Sequence, residues 1–212
     1  MRKCISTWHK HLSDYEFRLW NEESCAAYAA ANGLANPMDH PFVKSAYAAR
    51  KYAFVADYVR FWALYHCGGV YLDTDMYVVR NMDDLLENEL FLGWETKEKD
   101  YINVALLGAS TNNECAELIL KVYDTLMFDA DHLDKFIVPR IITPIILQHL
   151  DVMIYEYDYF YAFPFSKRME KDFMKYKTSN SYAIHLWDIS WYPWYKKIIR
   201  QIVIEIKKIL YA

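Results

Sequence analysis

The chain has 212 residues, 54% apolar and 25% charged, with a formal net charge of −4. These proportions fit a soluble globular protein with core enough for one domain and exclude a disordered chain. The acidic balance excludes a general nucleic-acid binder. Cys4, Cys25, Cys67 and Cys115 are far apart with no Cys-x-x-Cys pair, so neither a zinc site nor a dithiol redox motif is expected, and a reducing cytoplasm is the default. The opening MRKCISTWHKHLSDYEF carries no signal-peptide pattern, and no apolar run is long enough to span a bilayer. A soluble or peripheral protein is expected.

Cys4 to His11 reads as a helix, and Tyr15 to Trp20 (YEFRLW) alternates as a strand does. Asn21 to Asn32 continues as helix or loop. Asn32-Gly33 is a stop, Asn36-Pro37 a turn, and His40 before Pro41 a turn residue. From Tyr52 to Tyr65 almost every residue is apolar or aromatic, without Gly or Pro, which predicts a helix buried on most of its circumference. Asp57 and Arg60 alone interrupt it. Gly68 and Gly69 then supply the left-handed conformations that end a helix, and Val70-Tyr71-Leu72 reads as a short buried strand running into Asp73-Thr74-Asp75.

Side chains at i and i+2 of an extended segment share a face, with Cα atoms about 6.6 Å apart. Asp73 and Asp75 can therefore flank one hard cation, or one can hold the metal while the other orients a ligand hydroxyl. Oxygen-rich sites of this kind suit Mg²⁺ or Mn²⁺ bridged to phosphates. Solvated turn aspartates are the bland alternative, but open α/β sheets bind ligands at the carboxyl ends of strands. Asp57 and Arg60, three apart on one helix face, can pair with each other. Sugar hydroxyls can use their remaining hydrogen-bonding capacity, since a carboxylate accepts and a guanidinium donates.

The order Asp57-x-x-Arg60, Leu64, Gly68-Gly69-Val70-Tyr71-Leu72-Asp73-x-Asp75, Asp83-x-Leu85 resembles the glycosyltransferases with a DXD sugar-binding region. These are of the family 32 type and include fungal initiating mannosyltransferases and bacterial capsular polysaccharide enzymes, with the glucosylating clostridial toxins more distant. The resemblance implies an α/β fold of the GT-A type, with a mixed, mostly parallel sheet flanked by helices. It also implies a divalent metal, a nucleoside-diphosphate sugar donor, a saccharide or lipid-linked acceptor, and transfer with retention. Two departures are expected to matter. Ala56 stands where relatives commonly have Ser, and the opening strand of relatives, which forms part of their nucleotide pocket, is not found before Tyr15, so the sheet is expected to lack its first strand.

Beyond the motif, Asn81 to Leu86 reads as a turn into a short helix, Leu90 to Glu95 as a strand, Glu95 to Asp100 as a charged loop and Ile102 to Leu107 as a strand. Asn103, an amide in an apolar strand, must find partners: donor, acceptor or a structural hydrogen bond. Asn112 or Asn113 can cap a helix over Glu114 to Phe128. Relatives carry Gly-Pro near Thr143-Pro144. Asp151 to Tyr161 is strand-like, and Lys167 to Lys177 a basic, exposed loop or helix. Tyr182 to Trp191 (YAIHLWDISW) reads as a late strand; the resemblance implies that His185 ligates metal or contacts diphosphate and that Ser190 and Trp191 meet the phosphate.

The segment Tyr195 to Tyr211 puts isoleucines on one helical face and Lys196, Lys197, Arg200, Lys207 and Lys208 elsewhere. It suits an anionic membrane surface or a docked helix with a solvated basic face. The expected division is a catalytic domain over 1–194 and a basic amphipathic helix over 195–212. The expected protein is a metal-dependent hexosyltransferase in surface polysaccharide synthesis, at the inner face of the membrane. The alternatives are a non-catalytic sugar-binding remnant and an Asp-x-Asp phosphatase, whose first aspartate would be a nucleophile.

Overall fold

The computed structural model describes residues 2–149 and 151–188. Four helices precede the first strand: α1 (Arg2–His11), α2 (Glu22–Asn32), α3 (Pro41–Ala48) and α4 (Tyr52–Cys67). The Asn21 side chain accepts from the Ser24 N–H while the Ser24 hydroxyl accepts from the Asn21 N–H, so a reciprocal capping box opens α2, and Gly33 closes it in the left-handed region. Every residue of α4 from Phe54 to Leu64 except Ala56 is buried, Asp57 and Arg60 included.

Gly68 ends α4 with φ +66°. A side chain there would also meet the Thr111 nitrogen at 3.0 Å. The helix therefore stops where the chain must pass close to another backbone, and only glycine meets both demands.

The strands are β1 (Gly69–Leu72), β2 (Met76–Val78), β3 (Leu90–Trp94), β4 (Ile102–Ala109), β5 (Val152–Tyr155) and β6 (Ala183–His185). Helices α5 (Glu114–Thr125) and α6 (Val138–Ile146) lie between β4 and β5. Asn113, not Asn112, caps α5 by accepting from the Cys115 and Ala116 N–H groups.

One sheet has the order β1-β4-β3-β5 and a second pairs β2 with β6. The sheet is mixed and flanked by helices, but the expectation of a mostly parallel one is corrected. The β1/β4, β3/β4 and β2/β6 pairs are antiparallel, and β3/β5 alone among the described pairs is parallel. Connection length explains this. The loop from Glu95 to Tyr101 is too short for a crossover, so β3 and β4 form a hairpin, whereas α5 and α6 give β5 the long connection that a parallel neighbour needs.

Leu90 and Leu92 of β3, with Ile102, Val104 and Leu107 of β4, face the core shared with α2 to α6. Phe91, Ala105 and Leu106 face a second core with Leu12, Met76, Phe160 and Tyr161. Strand alternation thus lets one sheet hold two apolar layers apart.

Three further strand expectations are corrected. Tyr15 to Trp20 pairs with no strand among the described residues and is irregular, with Leu19 76% exposed. β1 is half-buried rather than buried, because it lies at the edge of its sheet. Asp151 to Tyr161 is strand only over β5 and then turns through a 3-10 segment. Thr143-Pro144 lies inside α6, where the Thr143 hydroxyl accepts from the Ile102 N–H. Among the described residues no helix is long and apolar enough to cross a membrane. Ser190, Trp191 and the segment 195–212 lie outside the described residues, as does the expected boundary at 194.

Candidate functional site

The site starts where β1 ends. Asp73 continues the ladder through its N–H, which donates to the Ala105 carbonyl at 2.7 Å, and its carbonyl accepts from the Met76 N–H at 2.9 Å. That turn reverses the chain into β2, so Asp73 and Asp75 leave the sheet together at a strand end.

β2 pairs with β6 so that Met76 lies opposite His185. This register carries His185 Nε2 to 3.2 Å from Asp75 Oδ2. The Asp188 N–H donates to the same oxygen at 2.7 Å, and the Leu186 N–H donates to the Asp75 carbonyl at 3.1 Å. One donor atom each from Asp73, Asp75 and His185 lie within 4.8 Å of one another. The two carboxylates offer the oxygen donors that Mn²⁺ and Mg²⁺ take, and the imidazole favours Mn²⁺ of the two. His185 Nδ1 is buried with no hydrogen-bond partner among the described residues, so the imidazole retains unused bonding capacity. Its ring is held by Trp187, 4.0 Å away between centroids. Burial alone would raise the Asp75 carboxyl, but the hydrogen bond and charge of His185 and the Asp188 N–H hold it below its ordinary value.

Asp57 and Arg60 form the second half. Arg60 Nη2 donates to Asp57 Oδ1 at 2.7 Å, Nη1 donates to the Val104 carbonyl at 2.7 Å, and Nη2 lies 3.6 Å from Asp73 Oδ1. The guanidinium lies over the Tyr71 ring, 4.5 Å from its centroid, and the Tyr71 hydroxyl donates to Asp73 Oδ1 at 2.7 Å. Burial opposes the Arg60 charge, yet Tyr71, Asp73 and Asp57 around it raise its pKa above the ordinary value, so it remains a cation. Burial pushes the Asp57 carboxyl up to about 7; Arg60 opposes that rise and Asp73 adds to it.

A bulge in β4 supplies the connection between these groups. From Phe91 to Gly93, β3 advances two positions while β4 runs back from Gly108 to Asn103. Backbone groups freed there take other partners: the Val104 carbonyl accepts from Arg60, and the Leu106 N–H donates to the Tyr161 hydroxyl at 3.2 Å. Bulges are frequent beside active sites because they redirect a strand locally. Asn103 is used inside this feature, its amide donating to Glu95 Oε2 at 2.9 Å and its oxygen accepting from the Ala105 N–H at 2.8 Å. Of the sequence candidates, Asp57, Arg60, Asp73, Asp75 and His185 thus form one connected group. Tyr71, which stands in the sequence motif but has no assigned role there, and Tyr161, one more tyrosine in an aromatic run, join it.

Beside Arg60, a cleft of ≈ 280 Å³ is lined by residues that include Trp20, Tyr47, Tyr52, Ala56 and Tyr71. It shares Arg60 and Tyr71 with the carboxylate site.

Residues 1–92 match the family described as a glycosyltransferase sugar-binding region containing a DXD motif. The match includes Asp57, Arg60, Asp73 and Asp75 and ends before Asn103 and His185. The chain is also similar to inositol phosphoceramide mannosyltransferase 3 of Schizosaccharomyces pombe, 38% identical over 74 residues, which are 34% of this chain and 19% of that protein. The similarity thus spans about a fifth of the length of the relative.

Proposed function

Because residues 1–92 are a glycosyltransferase sugar-binding region of the DXD type, we propose that the protein is a metal-dependent hexosyltransferase. It moves a sugar, with retention, from a nucleoside-diphosphate sugar to a saccharide or lipid-linked acceptor. The observation that carries the reading is the convergence of Asp73, Asp75 and His185 within 4.8 Å, beside the buried Asp57–Arg60 pair.

In this reading Asp73, Asp75 and His185 hold Mn²⁺ or Mg²⁺. The ion, when bound, offsets negative charge growing on the leaving diphosphate. Arg60 donates to sugar hydroxyls and Asp57 accepts from them, each already oriented by the other, and Arg60 also by the Val104 carbonyl. Such preorientation limits the ordering that substrate binding must impose. The aromatic cleft beside Arg60 suits the nucleoside, whose planar base can stack on Trp or Tyr rings. No protein nucleophile is assigned. The mannosyltransferase relative makes mannose the first donor sugar to try, and the basic segment 195–212 is proposed to meet an anionic membrane surface. Ser190 and Trp191 remain proposed diphosphate contacts.

The deciding experiment is Asp75→Asn, with turnover of GDP-mannose, UDP-glucose and UDP-galactose measured with and without Mn²⁺. Metal-dependent turnover in the parent protein, lost in the variant with an unchanged unfolding midpoint, is the expected result. Equal turnover in both proteins would sink the assignment. Donor binding without any turnover would favour a sugar-binding remnant.

A further inference from the structure

The chain leaves β6 through a turn that few side chains tolerate. Among the described residues Arg50, Lys99, Asn112 and Trp187 are the non-glycine residues in the left-handed region, and Trp187, with φ +58°, is the bulkiest of them. That conformation brings Cβ close to the following carbonyl oxygen, and for a bulky residue it persists only where the surroundings over-determine it.

The surroundings here are the carboxylate site. Met76 lies opposite His185, so the same register continued would set Asp188 opposite Asp73. The Leu186 N–H still follows the ladder and donates to the Asp75 carbonyl at 3.1 Å. Past the turn, the Asp188 N–H donates instead to the Asp75 side chain, at Oδ2, at 2.7 Å. The left-handed residue thus takes the chain out of the ladder and onto the carboxylate. Its indole does a second thing. The Nε1–H donates to the Phe163 carbonyl at 2.6 Å, which fixes the ring, and the ring centroid lies 4.0 Å from that of His185. Tyr161 meets the same imidazole edge-on at 5.8 Å. Histidines that ligate metals are ordinarily oriented by a hydrogen bond from their second ring nitrogen. His185 Nε2 faces Asp75 and Nδ1 has no partner among the described residues, so packing against Trp187 and Tyr161 sets the plane of the ring.

We infer that Trp187 is the positioning residue of the metal site: its indole orients the His185 imidazole, and its left-handed turn aims the Asp188 N–H at the Asp75 carboxylate. The inference rests on the reading of Asp73, Asp75 and His185 as metal ligands. One strained residue then holds two of the three ligands in place before the ion arrives, which limits the ordering that binding must impose.

The test is Mn²⁺ affinity, titrated by electron paramagnetic resonance on folded protein, beside urea unfolding of each variant. Glycine takes a φ of this sign without strain, so Trp187→Gly keeps the turn and removes the ring. Its Mn²⁺ dissociation constant rises on the order of tenfold, the scale set by groups that orient metal ligands. In a His185→Ala background the same change moves the constant less than about twofold, because the ring acts through the imidazole. Trp187→Phe, with a ring but no N–H for the Phe163 carbonyl, falls between Trp187→Gly and the parent. Trp187→Ala lacks the ring and must hold the turn with a Cβ, so it binds Mn²⁺ more weakly than Trp187→Gly and unfolds at a lower urea concentration.

A tryptophan that only packs would lower the unfolding midpoint and leave Mn²⁺ affinity unmoved. The inference is overturned if Trp187→Gly binds Mn²⁺ as the parent does, or if it loses as much affinity without His185 as with it. Trp187→Ala equal to Trp187→Gly in both affinity and midpoint overturns the part assigned to the turn. Should Trp187→Gly not fold, Trp187→Phe decides, and affinity equal to that of the parent overturns the inference. Failure of the metal reading shows separately, as a parent protein that binds Mn²⁺ no better than Asp75→Asn, and the inference falls with it.

Discussion

His185 Nε2 stands 3.2 Å from Asp75 Oδ2, although Asp75 follows the first strand of the protein and His185 ends the last described one. The contact is a product of register, because β2 pairs with β6 through Met76 and His185. A one-residue slip would turn the imidazole to the other face. His185→Ala is therefore expected to weaken Mn²⁺ binding by on the order of tenfold or more, the scale of losses seen when groups around a metal are removed. Titration followed by electron paramagnetic resonance reads this directly. Unchanged affinity would mean that the two aspartates hold the ion without the imidazole.

The Asp57–Arg60 pair is expected to behave as a buried ion pair whose members depend on each other. Arg60→Met leaves Asp57 in a site where burial already raises its pKa, at a cost of roughly 3–5 kcal/mol. The double variant Asp57→Leu/Arg60→Met recovers most of that stability while losing donor binding. Urea unfolding of the two single variants, the double variant and the parent gives the coupling energy. Additive losses would show that the two charges are independent.

Asp57 also sets a pH dependence. Its folded pKa, about 7, lies above the roughly 3.9 of an unfolded aspartate, so between those values the folded state binds the extra proton. The contribution is fully present below about pH 4 and is lost as pH rises to about 7, and each tenfold difference in proton affinity between the folded and unfolded chain is worth about 1.4 kcal/mol. Asp75, whose pKa is held below its ordinary value, contributes in the opposite sense, with stability lost as pH falls through its folded value. The stability of the parent protein minus that of Asp57→Asn should thus decline from pH 5 to pH 7.5 and then level off. A flat difference across that range would show that the pair stays ionised throughout.

The segment 195–212 is expected to bind anionic vesicles. Each of Lys196, Lys197, Arg200, Lys207 and Lys208 contributes roughly 1 kcal/mol near such a surface, and salt screens it. Removing Lys196 to Ala212 should abolish sedimentation with phosphatidylserine vesicles while GDP and Mn²⁺ binding persists. If the shortened protein unfolds, or if the full chain ignores the vesicles at low salt, the segment is a packed helix and the membrane role falls.

The sequence by itself determined α4, the Gly68 turn and the emergence of Asp73-x-Asp75 at a strand end. These depend on residues a few positions apart: an uninterrupted apolar run makes a buried helix, and a left-handed turn selects glycine. It also marked Asp57 and Arg60, because a charged pair in such a helix needs a reason. The tertiary structure alone decided what depends on partners. Tyr15 to Trp20 has the alternation of a strand and remains irregular, since a strand exists only through its neighbour's hydrogen bonds. Strand direction followed connection length, which put β3 and β4 in a hairpin where a mostly parallel sheet was expected. The meeting of His185 with Asp75, the bulge that offers the Val104 carbonyl to Arg60, and the pinning of Glu95 by Asn103 all arise from pairing between segments distant in the chain. No local pattern encodes such distances, because the registers that set them, in both sheets, are outcomes of packing apolar layers that distant segments share.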